Sequence, residues 1–116
     1  MNTKGHRDLI VWQKAMKLTV QIYQLTKTFP AEERYALTDQ LRRAAISIPS
    51  NIAEGRRRGS EVEFKHFLRN AFGSAAEIET QLEIAQSLKY GTPLLFEPSC
   101  SLLNEIMRML NKMTSS

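Results

Sequence analysis

A chain of 116 residues has the size of one domain and can bury roughly 65% of the surface its unfolded form exposes, so it needs no disulfide or metal staple. Its 42% apolar and 24% charged residues exclude a disordered chain, and no apolar run approaches the ~20 residues of a membrane span. The net charge of +4 is unevenly placed: residues 1–58 carry 11 Lys/Arg against 5 Asp/Glu, and residues 59–116 carry 5 against 7. The first half therefore holds the basic surface, which suits phosphates or acidic partners and equally serves solubility. The single cysteine, Cys100, has no internal partner, and the N-terminus runs from polar residues straight into a periodic segment without a signal-type apolar block. A cytoplasmic protein away from membranes is expected.

A first helix is predicted from Asp8, as N-cap, to about Lys27. One of its rows holds Val11, Ala15, Leu18, Ile22 and Leu25; a second holds Trp12, Met16, Thr19, Tyr23 and Thr26. Together they make an apolar face wider than one seam requires. Phe29-Pro30 breaks the pattern, because proline disfavours a helical residue before it. A second helix follows over about 35–57, with Leu37, Leu41, Ala44, Ala45, Ile48 and Ile52 in phase. Pro49 lies inside that phase, and since the phase continues to Ile52 the expectation is one kinked helix. Gly55 to Gly59 read as its exit, an arginine triplet held between two glycines.

Ser60 and Glu63 form a capping box that starts a third helix, predicted over 60–90. Phe64, Leu68, Ala71, Ala75, Ile78, Leu82 and Ala85 then alternate at four and three residues, a heptad seam. Gly91 is suited to the left-handed position that ends it. Pro93 and Pro98 suggest an irregular turn before a fourth helix over about 99–113, with rows Leu103, Met107, Leu110 and Leu102, Ile106, Met109, Met113. The expected fold is an all-α, antiparallel up-down-up-down four-helix bundle spanning 1–116 as one domain.

The chemistry-bearing residues point away from catalysis. A di-iron bundle needs two Glu-x-x-His pairs, and only Glu63 with His66 supplies one, so neither metal nor cofactor is expected. Cys100 has no histidine or acid at informative spacing, and Gly55 to Ser60 lacks the lysine-serine ending of a phosphate-binding loop. No arginine stands four to six residues before a histidine, as in compact helical ribonucleases. The basic clusters remain: Arg42 and Arg43 on the second helix, Arg56, Arg57 and Arg58 at its end, and Lys65 and Arg69 one turn apart on the third. Guanidinium forks pair with phosphates bidentately, while arginines at a helix C-terminus also cap carbonyls. For Arg42 and Arg43, an ion pair across a subunit interface is a third reading. Polar residues beside the apolar rows (Gln40, Ser47, Asn51, Glu54, Ser74, Glu77, Gln81) suit hydrogen bonds between helices better than a pocket.

The segment from Gln40 to Gly55 contains Ser47-Ile48-Pro49-Ser50-Asn51-Ile52-Ala53-Glu54-Gly55, a run far more specific than helical patterning. With Leu9 to Trp12, Tyr23, Phe29-Pro30, Glu33, Phe64 to Leu68 and Ala71 to Leu82, it makes nearly the whole chain resemble one family. These are the proteins encoded in intervening sequences of bacterial 23S ribosomal RNA, also called S23 ribosomal protein-like. The resemblance implies a four-helix bundle that assembles as a ring-like homopentamer, with no established catalytic activity. It also implies kinship with the accessory protein of diversity-generating retroelements, whose basic pentamer contacts a reverse transcriptase and nucleic acid. The expected function is a non-enzymatic oligomeric module that contacts RNA or DNA phosphates. The alternative is an adaptor whose basic face meets an acidic protein partner.

Overall fold

In the computed structural model, residues 5–115 are described, and within them four helices carry the fold: α1 Ile10–Thr26, α2 Leu37–Arg57, α3 Glu61–Ser87 and α4 Pro93–Thr114. Short 3-10 turns at His6–Asp8 and Ala31–Glu33 precede α1 and α2. Backbones approach one another around a square in chain order, α1 to α2 to α3 to α4 and back to α1, and the diagonal pairs do not meet. Thr26 bonds to Arg42, Ser47 to Ser74 and Lys14 to Glu105, so each helix runs opposite to both neighbours. This is the expected up-down-up-down bundle, 45 Å long and 23 by 20 Å across. No helix among the described residues is long and apolar enough to cross a membrane.

Helical phase selects the core. The first row of α1 is buried, and its Leu18, Ile22 and Leu25 share one core with Leu41, Ile48 and Ile52 of α2, Leu68 and Ile78 of α3, and Leu103, Ile106 and Leu110 of α4. Each such side chain, fully withdrawn from water, contributes roughly 1.5–3 kcal/mol. The seam of α3 is buried from Leu68 to Ala85, with Phe64 packed at its margin. The second row of α1 divides. Thr26 is buried and Trp12 packs against the core, whereas Met16 stays exposed, as does Val20 beside it. On α4 both predicted rows turn inward, and Leu94 is its only large apolar side chain left exposed. The surplus apolar surface therefore lies on α1 and not on α4.

Pro49 sits within α2, which runs uninterrupted past it. Proline has no N–H for the carbonyl four residues back, that of Ala45. The hydroxyl of Thr19 on α1 reaches that carbonyl at 3.1 Å, close to its own Ala15 carbonyl at 2.9 Å. A side chain that sequence placed in an apolar row thus supplies the donor that lets α2 continue through proline.

Four termini differ from expectation. Leu9, and not Asp8, occupies the N-cap of α1, because Asp8 is taken up in the preceding 3-10 turn. Helix α2 starts at Leu37, where the Glu33 carboxylate accepts its N–H at 3.3 Å; the other carboxylate oxygen accepts from the Tyr90 hydroxyl at 3.0 Å. Helix α3 ends at Ser87, and Lys89, at φ 62°, takes the left-handed position expected of Gly91. The Tyr90 N–H reaches the Ala85 carbonyl and the Lys89 N–H the Gln86 carbonyl, the two bonds of a Schellman stop. Gly91, at φ 78°, lies beyond the stop and lets the chain pass beneath Leu25 and Phe29. Because a left-handed lysine is strained, Lys89→Gly should raise stability by about 0.5–1 kcal/mol in urea unfolding.

Helix α4 begins six residues earlier than predicted, at Pro93 and not Ser99. Pro93 fills the first helical turn, where a missing N–H leaves nothing unpaired. Pro98 frees only the carbonyl of Leu94, in the first turn of the helix and on an exposed residue. Neither proline breaks a buried bond, so both are accommodated.

Candidate nucleic-acid interface

The basic residues gather where α2 ends and α3 begins. Gly55 makes this junction: a Cβ added there would lie 2.6 Å from Phe67 Cβ and 3.2 Å from the Phe64 ring. It is therefore a crossing point inside α2 and not part of the exit, which is formed by Arg58 and Gly59, the latter at φ 82°. With α3 so close, two aromatic rings rise beside the arginine triplet. The Arg56 guanidinium stands 5.5 Å from the centre of Phe64 and that of Arg58 stands 5.0 Å from Phe67. Such stacking restrains the freedom of a guanidinium. Arg58 also pairs with Glu54 at 2.9 Å, a half-exposed contact of small worth.

Arg57 points the other way, toward the turn before α1. Its charge reaches buried His6, whose ring meets Trp12 edge-on at 5.0 Å. Burial first, then repulsion from Arg7 and Arg57, holds the His6 imidazole below its ordinary value. Arg7 thereby joins the cluster, a member that the sequence did not reveal because only the fold returns the N-terminal turn to the end of α2. Lys65 and Arg69 lie at the same end of the bundle, but on the flank of α3 opposite Phe67.

Arg42 and Arg43 stand apart from this end, since 14 residues of helix separate Arg43 from Arg57, about 21 Å. The Arg42 guanidinium is engaged within the bundle, donating to Thr26 Oγ1 at 2.9 Å and stacking 4.5 Å over Tyr23. Arg43 is exposed and pairs with Asp39 at 3.0 Å. The seven predicted residues thus separate into five at one end of the bundle, spread over different faces of it, one exposed arginine nearer the start of α2, and one packed into the α1–α2 seam.

Other sequence candidates resolve more simply. Ser47 and Ser74 share a hydrogen bond of 2.8 Å between α2 and α3, and Asn51 donates to Ser47 Oγ at 2.9 Å. Of the seven polar residues expected to bond between helices, only Ser47 and Ser74 do so; Asn51 and Glu54 bond within α2, and Gln40, Glu77 and Gln81 line a groove instead. Of the capping box, Glu63 N–H donates to Ser60 Oγ at 3.1 Å; the returning contact is between the two side chains, at 3.5 Å. His66 is exposed and edge-on to Phe67, and no three His, Cys, Asp or Glu side chains among the described residues could hold a metal ion together. A cleft of about 710 Å³ opens at the far end, lined by Tyr90, Phe96, Glu97 and Cys100 among others. Burial, with help from Glu97, pushes the Cys100 thiol up, opposite to what an activated nucleophile requires.

No curated protein matches the chain. Among solved structures it is similar to a protein of unknown function from the S23 ribosomal protein family of Bacteroides thetaiotaomicron. The two share 24% identity and a TM-score of 0.81 over 92% of this chain and 100% of the other, which establishes a common fold. The family model of the 23S rRNA-intervening sequence protein matches residues 7–112, including the Pro49 segment, the Gly55 junction and all four helices nearly whole. By that match the chain belongs to the 23S rRNA-intervening sequence protein family.

Proposed function

We propose that the protein is a non-enzymatic, oligomeric binding module, a homopentamer by family resemblance, whose basic end holds the phosphates of RNA or DNA. The observation that carries this reading is the junction of α2 and α3. There the guanidinium groups of Arg56 and Arg58 are stacked on Phe64 and Phe67, Arg7 and Arg57 lie beside His6, and Lys65 and Arg69 add charge on the other flank of α3. Stacking reduces the freedom an arginine loses on binding, and a guanidinium presents two parallel donors to a phosphate. The exposed aromatic surface needed to stack successive bases is lacking, because Phe64 and Phe67 are half-buried under the arginines. Binding is therefore expected to follow backbone charge and to be nearly indifferent to sequence.

Arg57 and Arg69 are the informative positions, since both are exposed, whereas replacing Arg56 or Arg58 also removes a stacking contact. Arg57→Gln together with Arg69→Gln should weaken binding to unrelated RNA hairpins alike and reduce the slope of log affinity against log salt by about 2. Unchanged affinity in a variant with native helicity would contradict the assignment.

A further inference from the structure

Gly73 has no role inside its own bundle. It lies in the middle of α3, a helix of 27 residues, and a Cβ added there would meet nothing within 4 Å. A glycine inside a helix weakens it relative to alanine. At Gly55 a tight crossing repays that weakness; at Gly73 nothing in the chain does. Gly73 also begins a strip along the outer flank of α3 that continues through Ala76, Thr80 and Ile84 to Leu88 at helical spacing. Ile84 and Leu88 are about half exposed.

Together with Gln40 of α2, the first part of this strip lines a groove of about 460 Å³. Gln81 lines the same groove, is 9% exposed, and its Oε1 is buried without a hydrogen-bond partner. Buried acceptors in native proteins are nearly always paired, so this one, facing the groove, is suited to a donor that enters there. Small residues that admit a backbone and a buried amide awaiting a donor both describe the seat of a helix.

The chain carries a matching helix. On the outward face of α1, Met16 and Val20 are 43% and 56% exposed; Met16 shares a groove between α1 and α2 with Trp12 and Ile46. The outward face of α1 also bears Lys17 and Lys27, while Glu77 and Glu83 flank the strip on α3. The charges are complementary, and α1 and α3 run in the same direction.

We propose that the Gly73 groove receives α1 of a second copy of this chain, in a contact that joins two different faces. This rests on the oligomeric reading above and assigns its surfaces. Both faces incline toward α2, because Gln40 borders one and Ile46 the other. Repetition of such a head-to-tail contact adds copies one after another and ends in a ring when the rotation between neighbours closes.

Sedimentation velocity tests the assignment with two single variants, both at exposed positions that leave the core intact. Gly73→Leu and Val20→Glu should each keep full helicity by circular dichroism and sediment as monomers. Mixed together, they should form a one-to-one dimer and nothing larger, because each retains the face the other has lost. If the wild type assembles and Gly73→Leu assembles equally well, the groove is the wrong surface while the oligomeric reading stands. A wild type that remains monomeric overturns both.

Discussion

Gly55→Ala should lower stability by about 2 kcal/mol and the melting temperature by roughly 8 °C, although alanine is the better helix former. In an open helix the exchange would gain about 1 kcal/mol. At this crossing the new Cβ would lie 2.6 Å from the Cβ of Phe67, an atom fixed to the α3 backbone that cannot swing aside. Relief requires α3 to move away, and overpacking of this kind costs about 1–3 kcal/mol beyond any propensity gain. The same movement carries Phe64 and Phe67 from beneath Arg56 and Arg58. The variant should therefore bind RNA more weakly at a temperature where it is still folded. A thermal melt checks the first effect and a titration of the folded variant the second. A stabilised Gly55→Ala protein would show that α2 and α3 are not in contact here.

Thr19→Val should cost about 1–3 kcal/mol, and Pro49→Ala should abolish most of that cost. Valine keeps the shape of threonine and removes only the hydroxyl that reaches the Ala45 carbonyl at 3.1 Å. Ala45 is fully buried, so its carbonyl is left without the donor that proline cannot provide. Alanine at position 49 restores a backbone N–H to that carbonyl and makes the hydroxyl redundant. Urea unfolding of the wild type, both single variants and the double variant gives the coupling energy, expected at about 1–2 kcal/mol. Additive effects would mean that Thr19 acts only through its own helix, on the Ala15 carbonyl at 2.9 Å.

These two sites also show what a sequence makes legible. The heptad of α3 needs only the spacing of apolar residues, and the structure buries it from Leu68 to Ala85. The passage of α2 through Pro49 was readable from phase, but its physical support was not, because Thr19 lies 26 residues from Ala45 along the chain. Prolines misled at α4, where Pro93 and Pro98 signal a break by residue type yet fall where their missing N–H groups do no harm. Gly91 misled in the same way: the residue best suited to a left-handed turn was present, and Lys89 took the turn.

The basic cluster was partly legible. Arginines near one another in sequence could be named, but helix phase and tertiary stacking decide where each guanidinium lies. Arg42 and Arg43 are adjacent in sequence, yet one is packed on Tyr23 and the other faces solvent beside Asp39. Arg7 belongs at the basic end because Arg57, far away in the sequence, acts on its neighbour His6, a proximity made only by the fold.

The most direct test of phosphate binding by the basic end is the affinity of the wild-type protein for a structured RNA at two salt concentrations. With three phosphates neutralised, raising salt from about 50 to about 200 mM should weaken binding roughly 40-fold. Undetectable binding at the lower salt, or an affinity that does not fall as salt rises, would contradict it.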